Sequence, residues 1–275
     1  MIQGTSSGSG KTTLVIALCR IFKNLGYDVA PFKSQNMSSF VYKYDKFEIS
    51  VAQALQSIAS KIEFTYSVNP ILLKPIGNYQ SAVFVRGKFY KIMSTHEYYN
   101  KFIKTAFQIA IKSLDELQQK HDLIIMEGAG SPVEINMEKY DIANMKIAEL
   151  FNTPVILVTD IERGGSFANI VGTINLLKTK HKKLVKGFIF NKFSGDVKIL
   201  FPGFKKLFQY VSKPTLGVIP KIDIKLPQED TLDHKSQNVA YYDLKFRHIN
   251  DEIEKLCSII ENNVKIRSIE DFVNA

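Results

Sequence analysis

Cysteine, histidine and tryptophan are scarce in this chain. Its 275 residues include two cysteines and no tryptophan, which excludes a disulfide framework and a four-cysteine zinc site. The five histidines are not clustered at the spacing of metal ligands. No apolar run approaches the roughly 18 residues that span a membrane, and no secretory signal fits the first residues. We therefore expect a soluble, cytoplasmic protein with no membrane partner.

The excess of positive charge is small and scattered. Lys+Arg number 36 and Asp+Glu 27, for a net charge of +9, and 45% of the residues are hydrophobic, which is typical of a globular chain. The densest basic run comprises Lys178, Lys180, His181, Lys182, Lys183 and Lys186. It lacks interleaved aromatic residues, so we expect a solvated connection there and no nucleic-acid partner.

Short apolar runs alternate with amphipathic segments along most of the chain. The apolar runs predict strands at Met1–Gly4, Tyr27–Phe32, Asp122–Met126, Pro154–Thr159, Val185–Phe190 and Pro214–Ile219. Helical spacing predicts helices at Thr12–Leu25, Glu48–Lys61, Thr95–Gln119, Ile142–Phe151 and Phe167–Leu177. Gly87-Lys88 predicts a hairpin between Val83–Arg86 and Phe89–Ile92. This order predicts an α/β fold with a doubly wound, mostly parallel sheet.

One apolar stripe marks the end of the chain. It consists of Ile249, Ile253, Leu256, Ile260 and Val264, which recur at helical spacing. We expect a helix packed on the core. The alternative is that the stripe contacts a partner or a second copy of the chain, as in a homodimer.

Glycine and serine are concentrated in a loop after the first predicted strand. The segment from Gly4 to Thr13 is GTSSGSGKTT, in which backbone N–H groups and the following helix N-terminus can bind phosphate. Lys11 would contact the β- and γ-phosphates of a nucleoside triphosphate, and the Thr12 hydroxyl would bind Mg²⁺. The strict phosphate-loop pattern requires glycine where Thr5 stands, so the alternative is a fortuitous turn. The predicted nucleotide contacts are Thr5, Ser7, Gly8, Ser9, Gly10, Lys11, Thr12 and Thr13.

An acid and a glycine turn follow the predicted strand Asp122–Met126. Glu127 stands at its carboxyl end, where α/β sheets place ligands, and we expect it to hold Mg²⁺ directly or through water. Gly128 and Gly130 would expose N–H groups to an anionic acceptor. The alternative is a capped strand end with a solvated Glu127.

Polar residues near other predicted strands are further candidates. Lys33 ends the second strand, where it would neutralise a carboxylate or a transferring phosphoryl group. Taken alone, it would be an ordinary surface lysine. Glu48 is a weaker candidate for a second metal carboxylate. Asn191 and Lys192 follow the strand Val185–Phe190, and an Asn amide can bind a nucleobase edge.

Together these residues resemble the N-terminal, ATP-dependent amide-forming module of cobyric acid synthases. The resemblance runs from Gly4 to about Thr231. It is carried by QGTSSGSGK from Gln3, PFKSQNMS from Pro31, AQA from Ala52, NPILLKP from Asn69, EGAGSP from Glu127, DIERGG from Asp160, NKFSGD from Asn191 and LPQED from Leu226. The motifs more distantly resemble those of dethiobiotin synthetase, and this resemblance implies the same P-loop fold.

The resemblance implies a carbon–nitrogen ligase of cobalamin biosynthesis. ATP, with Mg²⁺, would phosphorylate a side-chain carboxylate of the corrinoid adenosylcobyrinic acid a,c-diamide, and ammonia would convert the acyl phosphate to an amide. Lys11, Lys33 and Glu127 would be catalytic. By motif position, the substrate-binding residues would be Gln35, Asn36, Lys74, Gly128, Gly130, Asp160 and Arg163.

The predicted organisation is a P-loop ligase domain over residues 1–232 and a helical tail over residues 233–275. Related synthases usually continue into a class I glutaminase domain, whose nucleophilic cysteine lies in a glycine-flanked elbow. Neither Cys19 nor Cys257 has such surroundings. We therefore expect ammonia to come from a separate glutaminase subunit or from solution.

Three other functions fit the same motifs. The first is a related ligase with another acceptor, such as cobyrinic acid a,c-diamide synthase or dethiobiotin synthetase. The second is a regulatory ATPase that controls partner binding, although Ser6 stands where such ATPases of this superfamily have a second lysine. The third is a remnant that binds ligand without turnover.

Overall fold

The structure, a computed structural model, describes residues 1–227, 240–241 and 246–274. Its strands are β1 (Ile2–Gly4), β2 (Val29–Phe32), β3 (Gln35–Met37), β4 (Phe40–Tyr44), β5 (Phe47–Ser50), β6 (Ile71–Gly77), β7 (Gln80–Val85), β8 (Lys88–Ser94), β9 (Leu123–Met126), β10 (Val155–Asp160), β11 (Val185–Phe193), β12 (Thr215–Pro220) and β13 (Ala240–Tyr241). Its helices are α1 (Lys11–Asn24), α2 (Val51–Ser60), α3 (Thr95–Glu97), α4 (Ile103–Gln118), α5 (Met145–Leu150), α6 (Ser166–Leu176), α7 (Thr179–Leu184), α8 (Phe201–Val211), α9 (Phe246–Asn263) and α10 (Ile266–Val273).

The chain divides into two compact units. The first comprises Met1–Leu14, Gly128–Ile224 and Lys255–Ala275, and the second Val15–Glu127 and Lys225–Glu254. Among the described residues, no helix is both long and apolar enough to cross a membrane.

A parallel sheet in the order β1-β10-β11-β12 is the centre of the first unit. All six residues of β10 are buried, as expected for a continuous apolar run in a parallel sheet. Phe188 and Phe190 of β11 share a core with Ile170 of α6 and Leu207 of α8. The sheet register pairs Gly4 with Val158 and Asp160 with Asn191. The predicted α/β class with parallel strands is confirmed.

Strands β2 and β9 pair in parallel in the second unit. The Glu127 N–H donates to the Phe32 carbonyl at 2.8 Å, so the pairing continues to the ends of both strands. Helix α2 packs beside β2 and is buried along its whole length. Its last carbonyls, from Ile58 and Ala59, accept from the buried Arg20 guanidinium at 3.1 and 2.8 Å.

A sheet in the order β3-β6-β7-β8 and a smaller one in the order β13-β4-β5 complete the second unit. Among these strands, β3, β4, β5, β6 and β13 were not predicted. The predicted hairpin is confirmed as β7 and β8. Its turn is one residue earlier than expected, at Arg86 and Gly87, whose φ angles are 48° and 74°. Two positive φ values in succession are typical of the two-residue turns that match strand twist.

Two predicted helices begin later than expected. The helix predicted at Glu48–Lys61 begins at Val51 because Phe47–Ser50 pairs with β4 and the Ser50 hydroxyl caps the helix. Glu48 therefore lies in a strand. The helix predicted at Ile142–Phe151 begins at Met145. The Asp141 carboxylate accepts from the backbone N–H groups of residues 143, 144 and 146, which makes 141–144 a capping turn.

Two other segments depart from the expected conformation. The helix predicted at Thr95–Gln119 is interrupted by a π turn at Tyr98–Phe102, where both Tyr98 and Phe102 are buried. The basic run predicted as a connection instead contains α7, and Lys186 lies in β11. A prediction from the 3.6-residue spacing of apolar residues does not detect the extra residue of a π turn. It also misses a helix as short as α7, which has six residues.

The apolar stripe of the tail is buried within the chain. Ile253 and Leu256 have no exposed surface, and Val264 is 6% exposed. Gly217 of β12 forms a β-bridge with Val264, and the Lys265 N–H donates to the Leu216 carbonyl at 2.8 Å. The expected packing of the tail helix on the core is confirmed. The predicted domain boundary between residues 232 and 233 lies outside the described residues. The same is true of residues 228–231, at the end of the predicted resemblance.

Candidate active site

The glycine-rich loop joins β1 to α1 in the first unit. Gly8 and Gly10 have φ angles of 68° and 93°, which glycine adopts without strain. The Thr5 N–H donates to the Val158 carbonyl at 2.9 Å, and its hydroxyl donates to the Thr159 hydroxyl at 3.1 Å. The start of the loop is therefore fixed to β10.

Lys11 is 7% exposed and its side chain turns back across the loop. Its Nζ donates to the carbonyls of Ser6 at 3.0 Å and Gly130 at 3.1 Å. A Cβ on Gly4 would lie 2.8 Å from this Nζ and 2.3 Å from Ser9 Oγ. The same Cβ would lie 2.8 Å from the Ser6 carbonyl oxygen, a backbone atom, so glycine is required at position 4.

A nucleotide phosphate chain fits this loop. The Ser9 Oγ is buried and has no hydrogen-bond partner among the described residues, an arrangement that a ligand oxygen would complete. The loop also ends where α1 begins, with Lys11, Thr12 and Thr13 in its first turn. The N–H groups of a helix's first turn point away from the helix, and the positive helix end favours an anion there.

Three polar residues from the ends of β10 and β11 hold the loop from outside. Asn191 Nδ2 donates to the Ser9 carbonyl at 2.9 Å. Lys192 Nζ donates to the Gly8 carbonyl at 2.7 Å and to Asp160 Oδ2 at 2.8 Å. Contact with the nucleobase by Asn191 and Lys192 stays a prediction. Arg163 is exposed in the turn after β10.

The other predicted residues lie in the second unit, where Lys33 and Glu127 form a buried ion pair. The Lys33 ammonium donates to Glu127 Oε1 at 2.8 Å, and the two side chains are 6% and 0% exposed. The second carboxylate oxygen, Oε2, accepts from Gln56 Nε2. The alternatives of a solvated Glu127 and a surface Lys33 are therefore wrong. Charges this deeply buried require such partners.

The predicted acceptor residues of the second unit have polar partners. Asn36 Nδ2 donates to Ser50 Oγ and Gln53 Oε1, each at 2.9 Å. Gln35 Oε1 accepts from the Tyr98 hydroxyl at 2.6 Å. Burial raises the pKa of Tyr98, so this hydroxyl stays a donor.

Glu48 and Lys74, both predicted site residues, form an ion pair with each other. Among the described residues, no group of three His, Cys, Asp or Glu side chains is arranged to hold a metal ion. Proteins commonly bind Mg²⁺ through one or two carboxylates plus substrate phosphates. Thr12 and Glu127 each carry an oxygen donor of the kind that Mg²⁺ prefers, and metal roles for Thr12, Glu127 and Glu48 stay predictions.

Sequence reasoning missed Gln56, Ser50 and Tyr98. Gln53 and Gln56 are three residues apart on a buried helix of mainly small and apolar residues. This i, i+3 pair of amides is the pattern that would have indicated a polar cluster on one face of α2.

The family comparison gives a direct match over most of the chain. The model of the CobQ/CobB/MinD/ParA nucleotide binding domain matches residues 1–232. The chain belongs to this family. The CobQ/CobB/MinD/ParA domain is a nucleotide-binding P-loop domain, so the predicted α/β P-loop fold is confirmed.

Curated relatives of this domain carry the name expected from the motifs. Proteins named "Probable cobyric acid synthase" are 54% identical in Thermococcus onnurineus (strain NA1) and 52% identical in Methanocaldococcus jannaschii, over 233 and 235 residues. A "Cobyric acid synthase" of Caldanaerobacter subterraneus is 49% identical over 231 residues. Each alignment covers 84% of this chain and 45–48% of the relative. The predicted resemblance is confirmed, and the chain spans about half the length of these relatives.

Solved structures with lower similarity include two nucleotide complexes. The septum site-determining protein MinD of Pyrococcus horikoshii with Mg-ADP is 17% identical, with a TM-score of 0.41 and coverage of 80% of this chain and 81% of that chain. The signal recognition particle receptor FtsY of Elizabethkingia anophelis with GDP is 16% identical, with a TM-score of 0.45 and coverage of 92% and 62%.

Gly10→Ala should abolish nucleotide binding. The added Cβ would lie 1.9 Å from Asn191 Nδ2 at a φ of 93°, so the clash would displace a side chain that holds the loop. Gly8→Ala is the matched control, because its φ is 68° but its Cβ would meet nothing within 4 Å. Titration with a fluorescent ATP analogue should show a modest loss for Gly8→Ala. Equal affinities of the two variants would contradict the described loop.

Lys33→Met should strongly destabilise the protein. The Glu127 carboxylate would keep its burial but lose its cation, which costs about 3–5 kcal/mol in comparable buried pairs. Urea denaturation measures the loss. Adding Glu127→Gln should recover part of it, because the remaining group is neutral. A Lys33→Met protein as stable as the wild type would show that the pair is not buried as described.

Proposed function

We propose that the chain is the ATP-dependent, amide-forming module of a cobyric acid synthase. The observation that carries the proposal is the buried Lys33–Glu127 pair, which occurs in a nucleotide-binding domain about half identical to synthases of that name. The reaction would convert carboxylates of adenosylcobyrinic acid a,c-diamide to amides in cobalamin biosynthesis. The nucleotide would be ATP, bound with Mg²⁺.

The phosphate loop supplies the nucleotide side of this proposal. Lys11 contacts the β- and γ-phosphates, since its ammonium is already directed into the loop by the Ser6 and Gly130 carbonyls. Thr5, Ser7, Gly8, Ser9, Gly10, Thr12 and Thr13 surround the phosphates. The Thr12 hydroxyl and the Glu127 carboxylate would hold Mg²⁺, which when bound neutralises phosphate charge.

Carboxylate activation explains the need for positive charge. An oxygen of the acceptor carboxylate attacks the γ-phosphorus, ADP leaves, and an acyl phosphate forms. Ammonia then attacks the acyl carbon, loses a proton, and displaces phosphate to leave the amide. The first step joins two anions, so cations must offset their repulsion. Lys11 and Lys33 have that role.

Polar residues identified by motif position are proposed to recognise the corrinoid. The proposed contacts are Gln35, Asn36, Lys74, Gly128, Gly130, Asp160 and Arg163. Among these, Arg163 offers an exposed guanidinium, which suits bidentate binding of an acceptor carboxylate.

Ammonia is proposed to come from a separate glutaminase subunit or from solution. Cys19 and Cys257 are both buried, whereas a glutaminase nucleophile must be reached by substrate and activated by a nearby base. A glutaminase subunit is therefore a candidate partner. A second copy of the chain is also proposed as a partner, and the cytoplasm is the proposed location.

Conversion of the corrinoid tests the proposal. The purified chain is incubated with Mg-ATP and adenosylcobyrinic acid a,c-diamide, with ammonium in one sample and glutamine in the other, and mass spectrometry follows amide formation. We expect product with ammonium but not with glutamine. Lys11→Ala should abolish product while its circular dichroism stays that of the wild type. Normal turnover by Lys11→Ala, or bound ATP with no corrinoid product from the wild type, would contradict the assignment.

A further inference from the structure

A chain of hydrogen-bonded side chains runs through the second unit and ends at Glu127. It begins at Asn36 and Ser50, which both donate to Gln53 Oε1, at 2.9 and 2.5 Å. Gln53 Nε2 donates to Gln56 Oε1 at 3.4 Å, and Gln56 Nε2 donates to Glu127 Oε2. We call Gln53 and Gln56 the glutamine relay.

The two donors to Gln53 Oε1, from Asn36 and Ser50, determine the direction of the hydrogen bonds made by the relay. Gln53 receives two donors at its oxygen, so its NH₂ group faces Gln56. Gln56 then accepts at its oxygen and must donate at its NH₂ group, which faces the carboxylate. Aligned bonds of this kind polarise one another in a low-dielectric interior. The relay therefore presents a donor, and not an acceptor, to Glu127.

Burial makes this arrangement rigid. Ser50, Gln53 and Gln56 have no exposed surface, and Asn36 is 3% exposed. A side chain that moved away from this chain of hydrogen bonds would therefore leave a buried polar group without water or a partner, which is unfavourable. Helix α2 is also held at both ends, by the Ser50 cap and by Arg20 at the last carbonyls. The Gln56 amide is thus a fixed reference point for the carboxylate.

We propose that Gln56 is a positioning residue that orients the Glu127 carboxylate for a divalent cation. This rests on the proposed function, in which Glu127 is a metal ligand. Lys33 fixes Oε1 and Gln56 fixes Oε2, so the carboxylate is held in one rotamer before the metal arrives. Loss of a hydrogen-bond partner behind a metal ligand typically weakens metal affinity or activity 10–100-fold.

A purely structural role for Gln56 makes a different prediction. It would lower stability without changing the affinity for the cation. Ser60 is the matched control, because it lies on the same helix, is fully buried, and its hydroxyl has no hydrogen-bond partner among the described residues. Ser60→Ala removes a buried polar group of α2 without touching the relay.

The test measures Mn²⁺ binding by electron paramagnetic resonance, with a non-hydrolysable ATP analogue and the full chain. Gln56→Met, of similar volume, should bind Mn²⁺ 10–100-fold more weakly than the wild type, whereas its affinity for the analogue without metal should stay within about threefold. Ser60→Ala should match the wild type in both. In a Glu127→Gln background, Gln56→Met should have no further effect on Mn²⁺ binding.

Urea unfolding of the four proteins in the Gln56–Glu127 cycle measures the contact without any ligand. Non-additive shifts of the midpoint are expected, because the two side chains share a hydrogen bond. Additive shifts would overturn the contact itself. Non-additive stability with unchanged Mn²⁺ affinity in Gln56→Met would reduce Gln56 to a structural role. A wild-type chain that binds the analogue but no Mn²⁺ would overturn the metal assignment of Glu127 and the positioning role with it.

Discussion

A lysine ammonium and a glutamate carboxylate meet away from water in the second unit, and the structure around them depends on that contact. Neither charge can stay buried alone, so the strands that carry Lys33 and Glu127 must end side by side. The parallel pairing of β2 with β9 does this, and the backbone bond from Glu127 to Phe32 extends the pairing to the ion pair itself. Helix α2 supplies Gln56, whose amide donates to the second carboxylate oxygen, Oε2.

In the first unit, the conformation of the glycine-rich loop between β1 and α1 depends on close packing. Gly4 is required because Lys11 and Ser9 approach its Cα, and Gly10 because Asn191 does. The β10 and β11 strand ends contribute Asp160 and Lys192, which hold the loop from outside. A preorganised loop binds phosphate without first having to be ordered, which favours affinity.

The parallel strands were predictable because β-branched and apolar residues form continuous runs in β10 and β11. Lys11 and Glu127 were predictable from their positions after strands. The start of α2 was not, because Glu48 and Val51 both fit a helix and only the pairing of β5 with β4 decides between them. The polar strand β3, Gln35–Met37, was not predictable either. It contains no apolar run, and its pairing with β6 is a long-range contact. The relay was missed for a similar reason: buried amides are recognised by their partners, which are distant in sequence.

Transfer of oxygen from acceptor to phosphate is the most direct test of carboxylate activation by this chain. The corrinoid is prepared with ¹⁸O in its free carboxylates and incubated with the protein, Mg-ATP and ammonium, and the released phosphate is examined by mass spectrometry. If an acyl phosphate forms, one phosphate carrying a single ¹⁸O atom is released for every amide. Phosphate that is released without label would show that ATP is hydrolysed by water and would contradict the proposed reaction.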